Sequence, residues 1–208
     1  MKRKKDSQLR IGVLASGRGT SLDSLIVAIK NQTINAIIAL IISDKIHAQV
    51  LAHKQKYGIE TKYIKFAANR AEHEHAIDQA FRDQKVDLIL LVGYQRILSK
   101  EFIMKWQNRI INIHPSLLPA FAGLVDLDLH CAVLAAKIPE TGCTVHLVTE
   151  KVDAGQILLQ KCCAVEPNDT PETLKVKVQS LEKEALVEVI RNFKQIFRGI
   201  YESADFRF

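Results

Sequence analysis

The run Asp87 to Val92 is apolar throughout its interior, with an acid at its start and Gly93 just after it. A strand whose two neighbouring faces are both covered reads this way, because neither side needs to meet water. Such strands occur in parallel sheets, and parallel strands need long crossovers between them. The rest of the N-terminal half supplies those crossovers. Short apolar runs at Arg10–Ala15, Ala36–Ile42, Ile59–Ile64 and Ile110–Ile111 alternate with helical patterns at Leu22–Ile29, His47–Tyr57, Arg70–Phe81 and Lys100–Trp106. Gly58 closes the second of these helices. Strand–helix alternation over the first 114 residues predicts an α/β fold, an open and mostly parallel sheet wound on both faces. Ligands of such sheets bind beyond the carboxyl ends of the strands.

Four loops fall on that edge. The first is Ser16-Gly17-Arg18-Gly19-Thr20-Ser21, a glycine turn between a strand and a helix. This geometry offers backbone N–H groups and a helix N-terminus to an anion. The turn lacks the Gly-Lys-Ser/Thr ending of a Walker loop, and Leu22 stands where a dinucleotide fingerprint has its third glycine. A single phosphate therefore suits it better than a pyrophosphate. The second loop is Ser43-Asp44, an acid at the end of the second strand, in the place of a ribose-binding acid. The third is Gly93 to Leu98. The fourth is Asn112-Ile113-His114-Pro115-Ser116-Leu117-Leu118-Pro119. Asn112 and His114 are two apart on an extended segment, so they face the same side. The amide can donate to an oxyanion, and the imidazole can move a proton near neutral pH.

The C-terminal half adds a helix from about Asp126 to Lys137, with Asp126 and Asp128 in its dipole-offsetting first turn. Strands follow at Thr141–Val148 and Gln156–Val165, joined through Glu150-Lys151-Val152-Asp153-Ala154-Gly155. Pro171 opens a long last helix, capped by Asp169 or Thr170 and running to about Phe197. His146, a lone histidine in a strand, reads as a satisfied core residue. His73 and His75 do not share a helix face and read as solvated side chains rather than metal ligands.

Composition bounds the function classes. The 208 residues fit one domain, with 48% hydrophobic residues for its core. Of the net charge of +6, much comes from Lys2, Arg3, Lys4 and Lys5, so residues 1–9 read as a disordered basic tail and 10–208 as a single domain. The remaining positive balance suits a small anionic substrate rather than nucleic acid. No run approaches the about 18 apolar residues of a membrane span, and the run after the basic tail is too short for a signal peptide. Cys131, Cys143, Cys162 and Cys163 form no C-x-x-C pair, which predicts reduced, mostly buried thiols, no metal site and a cytoplasmic protein.

From Arg10 to about Phe197 the chain resembles phosphoribosylglycinamide formyltransferase, the folate-dependent family of purine biosynthesis. The resemblance rests on the glycine turn, Arg96-Ile97-Leu98-Ser99, the eight residues Asn112 to Pro119, Gly142-Cys143-Thr144-Val145-His146, and Val152-Asp153-Ala154-Gly155. It implies a Rossmann-like formyltransferase fold and formyl transfer from 10-formyltetrahydrofolate to the amine of 5-phosphoribosylglycinamide. By the same resemblance Asn112, His114 and Asp153 are catalytic. Gly19, Thr20, Ser21 and Glu182 fall where the family binds substrate, with Gly17 nearby. Arg70, Gln95, Arg96, Ile97, Leu98 and Asn112 fall where it binds the formyl donor. The implied partners are these two small molecules, with no metal, nucleic acid or membrane, in a monomer or homodimer. Two positions depart from the family's pattern: Ser21 where asparagine is usual, and Gln95 where an apolar residue such as methionine is common. A formyltetrahydrofolate hydrolase and a methionyl-tRNA formyltransferase share the central motif, but each usually carries an extra domain for which this chain is expected to have no room. The incomplete glycine fingerprint speaks against a nicotinamide-dependent oxidoreductase.

Overall fold

A computed structural model describes residues 8–66, 69–193 and 195–197. The basic tail at Lys2 to Lys5 and the segment 198–208 lie outside the described residues. Among the described residues seven strands, β1 (Leu9–Leu14), β2 (Ala36–Ser43), β3 (Thr61–Tyr63), β4 (Leu88–Leu91), β5 (Ile110–His114), β6 (Glu140–Leu147) and β7 (Ile157–Ala164), lie in the order β3-β2-β1-β4-β5-β6-β7. Among the same residues six α-helices flank this mostly parallel sheet: α1 (Thr20–Lys30), α2 (His53–Tyr57), α3 (Arg70–Asp83), α4 (Lys100–Lys105), α5 (Asp126–Ala135) and α6 (Pro171–Arg191). Among the described residues, no helix is long and apolar enough to cross a membrane.

The chain divides into two compact units, one of residues 1–20, 35–112 and 147–152, the other of 21–34, 113–146 and 153–208. In the first unit β1 pairs in parallel with both β2 and β4, and β4 pairs in parallel with β5. The chain thus runs from β1 outward through β2 to β3, then returns to the other side of β1 with β4. That reversal leaves a switch point at the carboxyl ends of β1 and β4, where the Ser16 N–H donates to the Gly93 carbonyl at 3.2 Å. All four residues of β4 are buried, as an apolar run with no polar face requires. Gly12 lies inside β1, where the register of that strand against β2 shifts. A Cβ there would lie 2.6 Å from the Phe81 ring, so the missing side chain makes room for α3 to press its aromatic against the strand. Phe81 meets Trp106 edge-on in the same cluster, whose other members include Leu14, Ile42, Ile89 and Phe102.

Several expectations shift. The helix expected over 47–57 is a single 3-10 turn, Gln49–Ala52, followed by the five-residue α2. The Val50 N–H is drawn to the Gly17 carbonyl at 3.1 Å, which delays regular helix pairing. Gly58 closes α2 in the left-handed conformation, φ 72°, as expected. His73 is not solvated. It is 3% exposed, with Nδ1 3.0 Å from the Lys65 carbonyl and Nε2 3.0 Å from the Tyr94 hydroxyl. Burial, first, and the Asp44 and Glu74 charges push the Tyr94 pKa upward, so the phenol stays protonated.

In the second unit β6 and β7 form an antiparallel pair in which Gly142 faces Cys162. Thr170 caps α6 and exchanges hydrogen bonds with Thr173, with Pro171 at the first position, as predicted. Leu174, Val178, Ala185 and Val189 form its buried stripe. The helix stops at Arg191 rather than continuing unbroken to 197, because Asn192 leaves helical geometry at the cap. Of the four thiols only Cys143 is buried, while Cys131 and Cys162 are exposed and Cys163 is intermediate. The expectation of mostly buried thiols fails because Cys131 stands on an exposed position of α5, and β7, which carries Cys162 and Cys163, buries none of its residues fully. A Cβ on Gly142 would stand 1.9 Å from the Lys161 carbonyl oxygen of the paired strand, a backbone atom that cannot rotate away. Gly142→Ala is therefore expected to destabilise the chain by about 2–4 kcal/mol in urea unfolding, and a loss under about 0.5 kcal/mol contradicts the packing described.

Candidate active site

The first unit brings three of the four edge loops together. Asp44 follows directly on β2 and is buried; its Oδ1 accepts from the Ser16 hydroxyl at 2.7 Å and its Oδ2 from Arg96 Nε at 2.8 Å. Ser16 Oγ in turn accepts the Gln95 N–H at 3.0 Å. Gln95 also receives the Lys45 ammonium. A side-chain amide at this position thus has a polar partner on the next loop, which an apolar residue would not use. Ile97 is 63% exposed, whereas Leu98 is buried in the α3–α4 cluster and leaves only its backbone for a ligand. Arg70 is the first residue of α3, behind the Asn69 cap, and lines a separate hollow of about 400 Å³ with Glu74, Ser99 and Phe102.

The glycine turn continues from this edge. A Cβ at Gly17 would meet nothing within 4 Å, so its backbone is open to approach. Gly19 has φ 68°, and a Cβ on it would lie 2.7 Å from Val50 Cγ2. Glycine is thus needed at Gly19 for conformation and for space. Helix α1 begins at Thr20, so Thr20 and Ser21 are its first residues. Eleven residues of aligned peptide dipoles start at this turn, which favours negative charge there. In the second unit Ser21 Oγ donates to Glu182 Oε2 at 3.0 Å, across 161 residues of sequence. Burial pushes the Glu182 carboxyl up to about 7, against the lowering effects of the Ser21 hydroxyl, Lys175 and Lys183.

The second unit also joins His114 to Asp153. His114 closes β5, two residues past Asn112 on the same strand, and its Nδ1 lies 3.3 Å from Asp153 Oδ2. A second imidazole shares the carboxylate, with His146 Nε2 3.5 Å from Asp153 Oδ1. The Gly123 N–H donates to Asp153 Oδ2 at 2.8 Å. Asp153 itself sits at φ 51°, a left-handed position that aspartate tolerates better than most residues. Burial raises the Asp153 pKa, but the His146 and Gly123 hydrogen bonds and the His114 charge outweigh it and hold the carboxyl below its ordinary 3.8. His114 goes the other way from the simple pairing argument. Burial depresses its pKa below 6.5, and the Asp153 charge and the Phe121 carbonyl, 3.2 Å from Nε2, only partly restore it. The neutral ring is thus poised to accept a proton, next to a carboxylate that eases the resulting charge.

The proline loop is held by side chains that sequence reasoning did not single out. Thr144 Oγ1 donates to the Ser116 carbonyl at 2.7 Å and accepts the Leu118 N–H at 3.0 Å. Gln160 Nε2 donates to the Leu118 carbonyl at 3.0 Å and to Thr144 Oγ1 at 2.9 Å. His146 is buried, as its place in the strand predicts, but it also shares the Asp153 carboxylate. The available signal was its place at the end of a strand that leads straight into the Asp153 turn. Among the described residues, no group of three His, Cys, Asp or Glu side chains gathers in a form that could hold a metal ion.

A family model described as formyl transferase matches residues 9–190. The chain belongs to this family. It is 34% identical over 184 residues to the phosphoribosylglycinamide formyltransferase of Bacillus subtilis, covering 88% of this chain and 93% of that one. It is also 42% identical over 181 residues to the trifunctional purine biosynthetic protein adenosine-3 of Gallus gallus, covering 86% of this chain and 18% of that protein. The chain thus spans under a fifth of the trifunctional relative's length. The crystal structure of glycinamide ribonucleotide transformylase 1 from Symbiobacterium toebii superimposes with a TM-score of 0.87 at 34% identity, over 92% of this chain and 90% of that one. The formyl transferase fold accounts for the mostly parallel sheet and the long α6.

The shifted Glu182 gives the site a measurable pH signature. A carboxyl whose folded pKa is raised holds its proton more tightly when folded, so its stabilising contribution is full below about 4.5 and is lost as pH rises through about 7. Glu182→Gln is expected to be more stable than the parent at pH 8, by about 2 kcal/mol, and to lose the advantage below pH ~5. Urea unfolding of both proteins across this range checks it, and a difference that does not vary with pH contradicts the shift.

Proposed function

We propose that this chain transfers the formyl group of 10-formyltetrahydrofolate to the primary amine of 5-phosphoribosylglycinamide. The observation that carries this reading is the contact at 3.3 Å between the partly buried Asp153 and the buried His114, which stands two residues beyond Asn112 on the same strand, in a chain of the formyl transferase family. The amine nitrogen attacks the formyl carbon, and the carbonyl electrons move to oxygen. Asn112 donates to that oxyanion, joined by His114 once its neutral ring has taken the proton that the attacking nitrogen gives up. The attacking nitrogen loses a proton and the folate N10 gains one as the C–N10 bond breaks. Tetrahydrofolate and the formylated amine are the products. His114, with Asp153 beside it, passes between neutral and charged forms during these transfers, and no covalent enzyme intermediate is required.

The substrate's phosphate goes to the turn Gly19-Thr20-Ser21 at the start of α1, where N–H groups and the helix dipole meet it. Glu182 serves the same substrate through its contact with Ser21. Arg70, Gln95, Arg96, Ile97, Leu98 and Asn112 serve the formyl donor, Leu98 through its backbone. The protein acts in the cytoplasm on these two small molecules, as a monomer or homodimer.

The test offers glycinamide ribonucleotide, water and charged initiator tRNA as competing acceptors of labelled formyl from 10-formyltetrahydrofolate. Label is expected to pass to the ribonucleotide; label in formate or on tRNA instead overturns the acceptor assignment. His114→Ala and Asn112→Ala are each expected to lower turnover about 10²-fold or more, with both proteins still folded. Either variant working at the parent rate removes that residue from the chemistry.

A further inference from the structure

The Asp44 carboxylate has no exposed side-chain surface, and each of its oxygens is occupied by a donor. Burial raises its pKa, but the Ser16 hydroxyl and Arg96 outweigh this and hold it below 3.8, so the group is charged. A ribose hydroxyl, the ligand expected of an acid at the end of the second strand, would have to displace one of these donors. The contacts lead elsewhere. One oxygen takes Arg96 Nε at 2.8 Å, while the Arg96 guanidinium stacks 4.2 Å from the Phe66 ring. The other takes Ser16 Oγ, which accepts the Gln95 N–H. Two adjacent residues of one loop are therefore tied, by separate routes, to one buried charge that follows directly on β2, across β1 from the strand their own loop leaves. Arg96 still keeps 40% of its side-chain surface exposed, so it is oriented without being covered.

We propose that Asp44 is a positioning residue for the formyl donor: it fixes the Arg96 guanidinium directly, and the Gln95 backbone through Ser16, in the orientation the donor meets. The inference rests on the functional reading above, in which Gln95 and Arg96 belong to the donor site. A charge-assisted bond to Nε restricts a long, otherwise mobile side chain before the ligand arrives, and removes that ordering cost from binding.

The experiment uses the full chain and the shape-conserving variant Asp44→Asn. Donor affinity is measured calorimetrically with 10-formyltetrahydrofolate in the absence of acceptor, and KM for both substrates and kcat by steady-state assay. The expected result is a rise of about tenfold in donor Kd and KM, with kcat at saturating donor and the KM for glycinamide ribonucleotide within about twofold of the parent. In an Arg96→Ala background, Asp44→Asn is expected to add little further loss, since most of the tether then has nothing to hold. Ser16→Ala cuts only the route to Gln95, and is expected to give a smaller loss confined to the donor. Equal loss of both substrates with a lowered melting temperature in Asp44→Asn and Ser16→Ala alike makes the cluster purely structural and overturns the proposal. So does unchanged donor affinity in Asp44→Asn. A parent chain that binds no formyl folate overturns the functional reading instead, and the inference with it.

Discussion

The chemistry proposed for this chain depends on one carboxylate, Asp153, held charged where burial opposes charge. Its oxygens lie near two imidazoles and accept one backbone N–H, from Gly123. Those contacts exceed the desolvation cost, and the carboxyl stays ionised. The same burial acts on His114 and wins there, lowering its pKa. The pair therefore rests as carboxylate and neutral imidazole. A neutral ring beside a fixed negative charge can take a proton, and the carboxylate then stabilises the cation that forms. An exposed pair could not do this so effectively, because water would screen the interaction.

Around this pair the backbone is fixed by groups that do not react. Thr144 and Gln160 hold the Ser116–Leu118 segment, and the left-handed turn at Asp153 aims the carboxylate. On the first unit, the switch point between β1 and β4 is tied by Ser16 and Gly93 and extended by Asp44 to the Gln95–Arg96 loop. Each unit thus uses an aspartate, buried at Asp44 and partly buried at Asp153, to hold a loop from elsewhere in the chain. Of the thiols, Cys143 is pushed up to about 12 by burial and stays protonated, which suits a reaction needing no thiolate nucleophile.

Much of the fold was readable because its strands carry a single physical signature. A fully apolar run such as Leu88–Leu91 has nowhere to go but the centre of a sheet, and the glycine, threonine and proline signals at Gly58, Thr170 and Pro171 act through local backbone geometry. Residues whose role depends on distant partners were not readable in that way. His73 and His146 each look like isolated polar residues until the chain folds a tyrosine hydroxyl or a carboxylate against them. The Asp153–His114 pairing came from motif resemblance, since no local rule connects positions 39 residues apart. Even with the partner known, the direction of the His114 shift does not follow from the pairing: the carboxylate favours a raised pKa, and the desolvation that reverses it depends on how the folded chain covers the ring. The helix expected over 47–57 failed for a related reason, because the Gly17 carbonyl takes the Val50 N–H from outside the segment.

The most direct test of this account is an NMR pH titration of the His114 ring in the unliganded chain, repeated in Asp153→Asn. The parent ring is expected to titrate below the ordinary 6.5, and the ring of Asp153→Asn lower still, because burial remains while the neighbouring charge is gone. A His114 that titrates at or above 6.5 in the parent, or does not move when the Asp153 charge is removed, would contradict the account.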